Sequence, residues 1–246
     1  MGNETENSSD SSLNLLKQKV ISAYGGSHVW RNYKYIEAEV SDHGLAFRLK
    51  GRNKFDHVKL KMEIHRPWCS ISPINKNPDI TGVLDGETVR LVNTKGDTLS
   101  ERKNARSYFP GGRRFFKWDD LDMCYFANYA FWNYFTLPNL LSNEKIKWTS
   151  PKDGMLIAEF PNDIPTHCKK QEFIFDSQTG LLKQHNYTVD IFGQWAKAAN
   201  VVYRHQQVDT IPYPSFRIVT PRKKNGKARK GPQLIVIDVH QLKFTN

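Results

Sequence analysis

From Val29 onward the chain alternates apolar and polar positions with a period of two. Val58, Leu60, Met62 and Ile64 alternate with Lys59, Lys61, Glu63 and His65, as in a strand with one buried and one wet face. Leu45, Phe47 and Leu49 alternate with Ala46, Arg48 and Lys50 in the same way. Turn signals separate these runs: Asp42-His43-Gly44, Asp85-Gly86, Lys95-Gly96-Asp97, Asp153-Gly154, Thr179-Gly180 and Asn225-Gly226. The pattern predicts about eleven antiparallel strands. They fall at 31–41, 44–51, 56–66, 79–84, 87–93, 154–160, 168–176, 181–191, 198–208, 214–220 and 233–243.

Two stretches follow a helical period instead. Leu13, Leu16, Val20 and Tyr24 form one apolar stripe, capped by Ser11 or Ser12 and ended by Gly25-Gly26. The second runs from an Asp119-Asp120 cap to about Tyr134. Apolar and aromatic residues surround nearly its whole cylinder, which predicts burial on most sides. Pro138 opens a further helical turn through Leu141. A helix of this kind, set between two blocks of strands, belongs inside the curve of a sheet. The expected fold is mainly β (α+β): a strongly curved antiparallel half-barrel sheet wrapping a buried aromatic helix, with an N-terminal helix. Residues 1–11 read as a disordered tail and 12–246 as one domain.

Composition narrows the function classes. Cys69, Cys124 and Cys168 are odd in number and widely spaced, which argues for reduced thiols and against a disulfide scaffold or structural zinc. The first ten residues are acidic and polar, unlike a signal peptide, and no run is long enough for a transmembrane helix. The expectation is a cytoplasmic protein. Zincin, α/β-hydrolase, P-loop and Rossmann motifs are absent, so neither metal nor cofactor is expected.

The local wording resembles the LolA-like half-barrel of the periplasmic lipoprotein carriers, and more closely uncharacterised bacterial proteins of that type. Three stretches carry the resemblance. They are Ala23-Tyr24-Gly25-Gly26 with Trp30; Trp118-Asp119-Asp120-Leu121 through Tyr129-Ala130-Phe131-Trp132-Asn133-Tyr134; and Phe175-Asp176, Thr179-Gly180-Leu181-Leu182, His185 and Tyr187. The resemblance covers about Leu13 to Phe244 and implies a concave site for an apolar molecule. The carriers are exported, and no export signal is read here.

The leading expectation is therefore binding of a hydrophobic or amphipathic small molecule, lipid- or polyketide-like, between sheet and helix. Trp118, Tyr125, Tyr129 and Trp132 are the candidate lining, although aromatic stripes also simply fill cores. Trp118 and Trp132 are 14 residues apart, nearly four turns of a helix. The alternative is a cyclase- or isomerase-type enzyme in the same cavity. His185 and Tyr187 share one strand face, as do Tyr203 and His205, and such pairs can exchange protons. A satisfied polar cluster is the plainer reading of all four. Asp119 and Asp120 read as capping residues, and Asp190 and Asp238 as strand-end carboxylates.

Net charge is +11, from 36 Lys+Arg and 25 Asp+Glu. Segments 102–117 and 221–230 hold six cations each and no acid, so the remainder has 24 cations against 25 acids. The basicity is local. Arg113 and Arg114, beside Pro110-Gly111-Gly112, are candidates for an acidic end of the ligand. Nucleic-acid binding through these loops ranks third, since no nucleic-acid-binding motif accompanies them.

Overall fold

The computed structural model describes residues 2–246, with side chains from residue 11 onward. The tail expected over 1–11 lies almost wholly outside the described side chains.

Thirteen strands form one antiparallel, unclosed sheet. The N-terminal wing holds β1 (Tyr35–His43), β2 (Phe55–Glu63), β3 (Trp68–Ser72), β4 (Thr81–Asp85), β5 (Thr88–Val92) and β6 (Thr98–Arg102). The C-terminal wing holds β7 (Lys147–Lys152), β8 (Met155–Glu159), β9 (Lys170–Phe175), β10 (Leu182–Thr188), β11 (Lys197–Val208), β12 (Ile211–Pro221) and β13 (Ile235–Thr245). Each wing is a meander, and they join where β1 pairs with β13. The edges are therefore β6 and β7, which are consecutive in the chain. Whatever connects them must return from one edge to the other, and the sheet curves around that connection.

The helices are α1 (Gly2–Ala23), α2 (Ser27–Asn32), α3 (Leu45–Leu49), α4 (Asp120–Phe135) and α5 (Leu137–Leu140). The long return is α4. Asp119 caps it by accepting from the Asp122 amide, while the Asp122 side chain accepts from the Asp119 amide. Every residue from Asp122 to Phe135 is buried, as the all-round apolar pattern predicts.

Three faces of α4 meet three surroundings. Cys124, Asn128 and Trp132 pack on the N-terminal wing. There Trp132 Nε1 donates to the Glu63 carbonyl at 2.7 Å. A Cβ on Gly82 would fall 2.5 Å from Cys124 Sγ, so glycine on β4 permits this close approach. Tyr125 and Tyr129 face the other way, toward Phe109 and His167. The third face looks at the C-terminal wing and leaves a gap.

Several sequence expectations are corrected. Residues 45–49, read as strand, form α3. Gly44 has φ +139°, and its modest space is set by the Leu234 carbonyl, which a Cβ would approach to 2.3 Å. The chain thus leaves β1 for a helical turn across the sheet end, and five residues are too few to show which period governs. Strands β3, β6 and β7 were not foreseen; each is short, and β6 and β7 are mostly exposed edges with weak alternation. The first strand starts at Tyr35, not 31, because Ser27–Asn32 is helical. Trp118 precedes the α4 cap and so does not share a helical face with Trp132.

Candidate functional site

The gap beside α4 is a cavity of about 400 Å³. One wall is the helical stripe Met123, Phe126, Ala127, Ala130, Phe131 and Tyr134, which follows the i, i+3, i+4, i+7 pattern of one helix face. The opposite wall is built from inward positions of β10–β13, including Tyr187, Ala198, Val219 and Ile237, with Val189 just beyond β10. Phe47 and Leu49 from α3, Phe115, Phe192 and Trp195 complete the lining. Leu49, Phe115 and Trp195 are 64%, 70% and 74% exposed, so the mouth itself is apolar. Small residues recur on both sides of the space: Ala127 and Ala130 on the helix, Ala196 and Ala198 toward the sheet.

Four ionisable groups besides the tyrosines line this space: Asp42, Lys50, Arg114 and Lys197. Lys50 is buried, donates from Nζ to the Arg114 carbonyl at 2.5 Å, and lies over the Phe192 and Trp118 rings. Burial lowers its pKa, and the Asp122 charge works against that. Asp42 is buried too, and burial raises its carboxyl well above the ordinary range.

At one wall a chain of hydrogen-bonding groups reaches the cavity. The Tyr187 and Tyr134 hydroxyls are 2.6 Å apart. The Tyr134 hydroxyl is 2.8 Å from His167 Nε2, and His167 Nδ1 is 3.3 Å from the Tyr129 hydroxyl. The His167 ring stacks on Tyr187 at 3.9 Å. Burial, then the charge of Arg106, holds His167 well below its usual pKa, so the imidazole is neutral. Burial pushes Tyr134 up to about 12 and Tyr187 well above its ordinary value. A neutral imidazole has one donor and one acceptor nitrogen. The chain can therefore be wired in either direction, with the Tyr187 proton on Tyr134 or free to face the cavity.

The sequence candidates separate. His185 and Tyr187 are both buried and inward. His185 Nε2 bonds Gln171 Oε1 at 2.6 Å and its ring stacks on Phe173 at 4.1 Å, behind the cavity wall. Burial, His167 and Arg217 keep it neutral. Tyr203 is 63% exposed beside Phe216. Irregular register around Arg204 breaks the alternation in β11 between the buried Ala198–Asn200 stretch and His205. His205 lies farther along, 3.4 Å from the Tyr24 hydroxyl, with its pKa lowered to about 4 by burial and by Arg217. The structure does not bring the four together.

Of the candidate ligand contacts, Arg114 lines the cavity. Trp118 stands behind it, stacked on Phe192 with 5.2 Å between ring centroids. Tyr125, Tyr129 and Trp132 lie on the other faces of α4. Arg113 is bound to Asp119 and Asp122. The cations of 102–117 are largely met by nearby acids: Arg102 by Asp119 and Asp122, and Arg106 by Asp190. In 221–230, Arg222 pairs with Glu172, and the Gly226 carbonyl accepts from Gln184 and Asn186. No cation of that second loop is in the lining.

Asp42, Lys50 and His167 were not foreseen. Asp42 carried a signal: it continues the inward series Ile36, Ala38, Val40 in phase. The stripe from Met123 to Tyr134 was equally visible, its alanines marking the face with room. His167 lies in an irregular segment and carried no period.

No family model matches the chain, and no curated protein matches it. Solved structures do resemble it. A LolA superfamily protein from Nitrosomonas europaea is similar at 7% identity and TM-score 0.48, over 87% of this chain and 86% of its own. An outer membrane lipoprotein-sorting protein domain from Vibrio parahaemolyticus is similar at 12% identity and TM-score 0.46, over 93% and 90%. A DUF1329 family protein from Desulfovibrio piger is similar at 11% identity and TM-score 0.42, over 94% and 92%.

Proposed function

We propose that this protein binds an apolar or amphipathic small molecule, of lipid or polyketide size, in the cavity between α4 and strands β10–β13. The observation that carries the reading is the cavity itself. Protein interiors are close-packed, and a space of about 400 Å³ between two apolar walls is what packing ordinarily closes. Here alanines recur on both sides of it, and its size falls within the range of small-molecule sites. Its exposed apolar mouth gives a greasy ligand a way in. Lys50, Arg114 and Lys197 favour a ligand whose outer end is anionic. Native mass spectrometry of freshly purified protein tests this. The expected result is a bound species of a few hundred daltons, depleted when Ala130 is replaced by Phe. Protein that neither carries nor takes up any apolar molecule contradicts it.

A second reading rests on the hydroxyl chain. Tyr187 touches the cavity and is backed by Tyr134 and His167. That arrangement suits an isomerase in which Tyr187 gives its proton to one atom of a bound substrate and takes one back from another, with the Tyr134 hydroxyl donating to the transient tyrosinate. Turnover of a retained ligand that is abolished in Tyr187→Phe, with binding preserved, would support it. Preserved turnover in that variant would remove it.

A further inference from the structure

Asp42 occupies the last inward position of β1, after Ile36, Ala38 and Val40. It stands opposite Ile237 on β13, and both side chains line the cavity. Asp42 is 6% exposed, and its Oδ1 has no hydrogen-bond partner among the described residues. None of the three cations of the lining forms an ion pair with Asp42: Lys50 is bound to the Arg114 carbonyl, Lys197 is exposed, and Arg114 keeps its buried Nε without a partner. An ionised Asp42 would be felt at Tyr134, itself held protonated by burial.

An ionised carboxylate in an apolar wall with no counter-charge carries a large desolvation cost, so the group keeps its proton instead. A protonated carboxyl is a hydrogen-bond donor, and Oδ1 of this one is buried without a partner. A buried polar group left unsatisfied destabilises its surroundings unless something completes it. In this position the missing partner has to come from inside the cavity.

We propose that Asp42 sets ligand choice: the cavity takes an apolar molecule bearing a carbonyl or hydroxyl oxygen partway along its length, received by the Asp42 carboxyl. This deepens the binding reading above and rests on it. A plain hydrocarbon leaves the carboxyl unsatisfied. A mid-chain amine could pair with an ionised Asp42, but it would have to pass Lys50, Arg114 and Lys197, which repel it. The neutral acceptor is the ligand that satisfies the wall without opposing the mouth.

The experiment compares undecane, its mid-chain ketone and its mid-chain primary amine by competition with an apolar fluorescent dye. Wild type is expected to have a ketone-to-alkane affinity ratio about 3- to 10-fold higher than that of Asp42→Leu, the yield of one hydrogen bond. Asp42→Asn keeps a neutral donor and retains the wild-type ratio. Asp42→Leu strands the ketone oxygen against an apolar wall and moves the ratio toward the alkane. A ratio that Asp42→Leu leaves intact overturns the proposal while the cavity reading stands. Preference for the amine also overturns it. If none of the three displaces the dye and the dye itself does not bind, the cavity reading fails first.

Discussion

The Tyr134 hydroxyl on α4 lies 2.6 Å from the Tyr187 hydroxyl on β10, and both side chains line the same cavity. This contact fastens the helix to the C-terminal wing beside the cavity, together with the bond from Arg217 Nη2 on β12 to the Tyr134 carbonyl. It also makes the two tyrosines unequal. Tyr134 additionally meets His167, whereas Tyr187 ends the chain at the cavity.

The inequality predicts different costs of removal. Tyr187→Phe deletes the terminal hydroxyl and should cost about 1 kcal/mol. Tyr134→Phe leaves both His167 Nε2 and the Tyr187 hydroxyl without partners and should cost about 2–3 kcal/mol. Urea denaturation of the two variants measures this. Equal losses would mean the hydroxyls do not form a chain.

Asp42 gives a pH dependence with a definite sign. In the unfolded chain its carboxyl ionises near pH ~4. In the folded protein burial raises that pKa. Asp42 therefore subtracts stability as pH rises from about 4 toward its raised folded value, and adds no penalty below pH ~4. Asp42→Asn removes the loss. Its melting temperature relative to wild type should be higher at pH 7 than at pH 4. A difference that does not change with pH would show that Asp42 ionises freely when folded.

The start of α4 is held by a charged cluster. Asp122 is fully buried and accepts from Arg102 Nη1 at 2.6 Å and Arg113 Nη1 at 2.5 Å. Burial and the Asp119 charge raise its pKa. Burial also pulls Asp119 upward, but Arg102, the Asp122 amide and Arg113 outweigh it and hold Asp119 low. Asp122→Ala breaks the capping box and leaves the largely buried Arg102 short of one partner. The expected loss is about 2–4 kcal/mol, against less for Asp122→Asn. Chemical denaturation reads it, and a loss below about 1 kcal/mol would assign the cluster no structural role.

Much of the architecture was legible because period and burial coincide. The β2 run Val58, Leu60, Met62 is inward at each position, and the uniform apolar surface of α4 does mean burial on all sides. What period cannot report is which side of a buried helix has room. Trp132 and Tyr129 are larger than Ala127 and Ala130, and size drew attention to the filled faces instead of the empty one. The His/Tyr pairing failed on a long-range fact: irregular register in β11 and the length of that strand send His205 to Tyr24, away from His185. Asp42 was hidden by its neighbours. Asp42-His43-Gly44 reads as a turn, yet Asp42 is still inside the strand and Gly44 alone makes the bend.

The central claim is that the space beside α4 is a binding site and not a packing defect. Titration of an apolar fluorescent dye into wild type and Ala130→Phe, with both melting temperatures recorded, tests it most directly. Saturable binding by wild type is expected, with at least 10-fold weaker binding by the variant and a variant no less stable than wild type, because the new ring fills apolar space. Equal dye affinity in two equally folded proteins would contradict it.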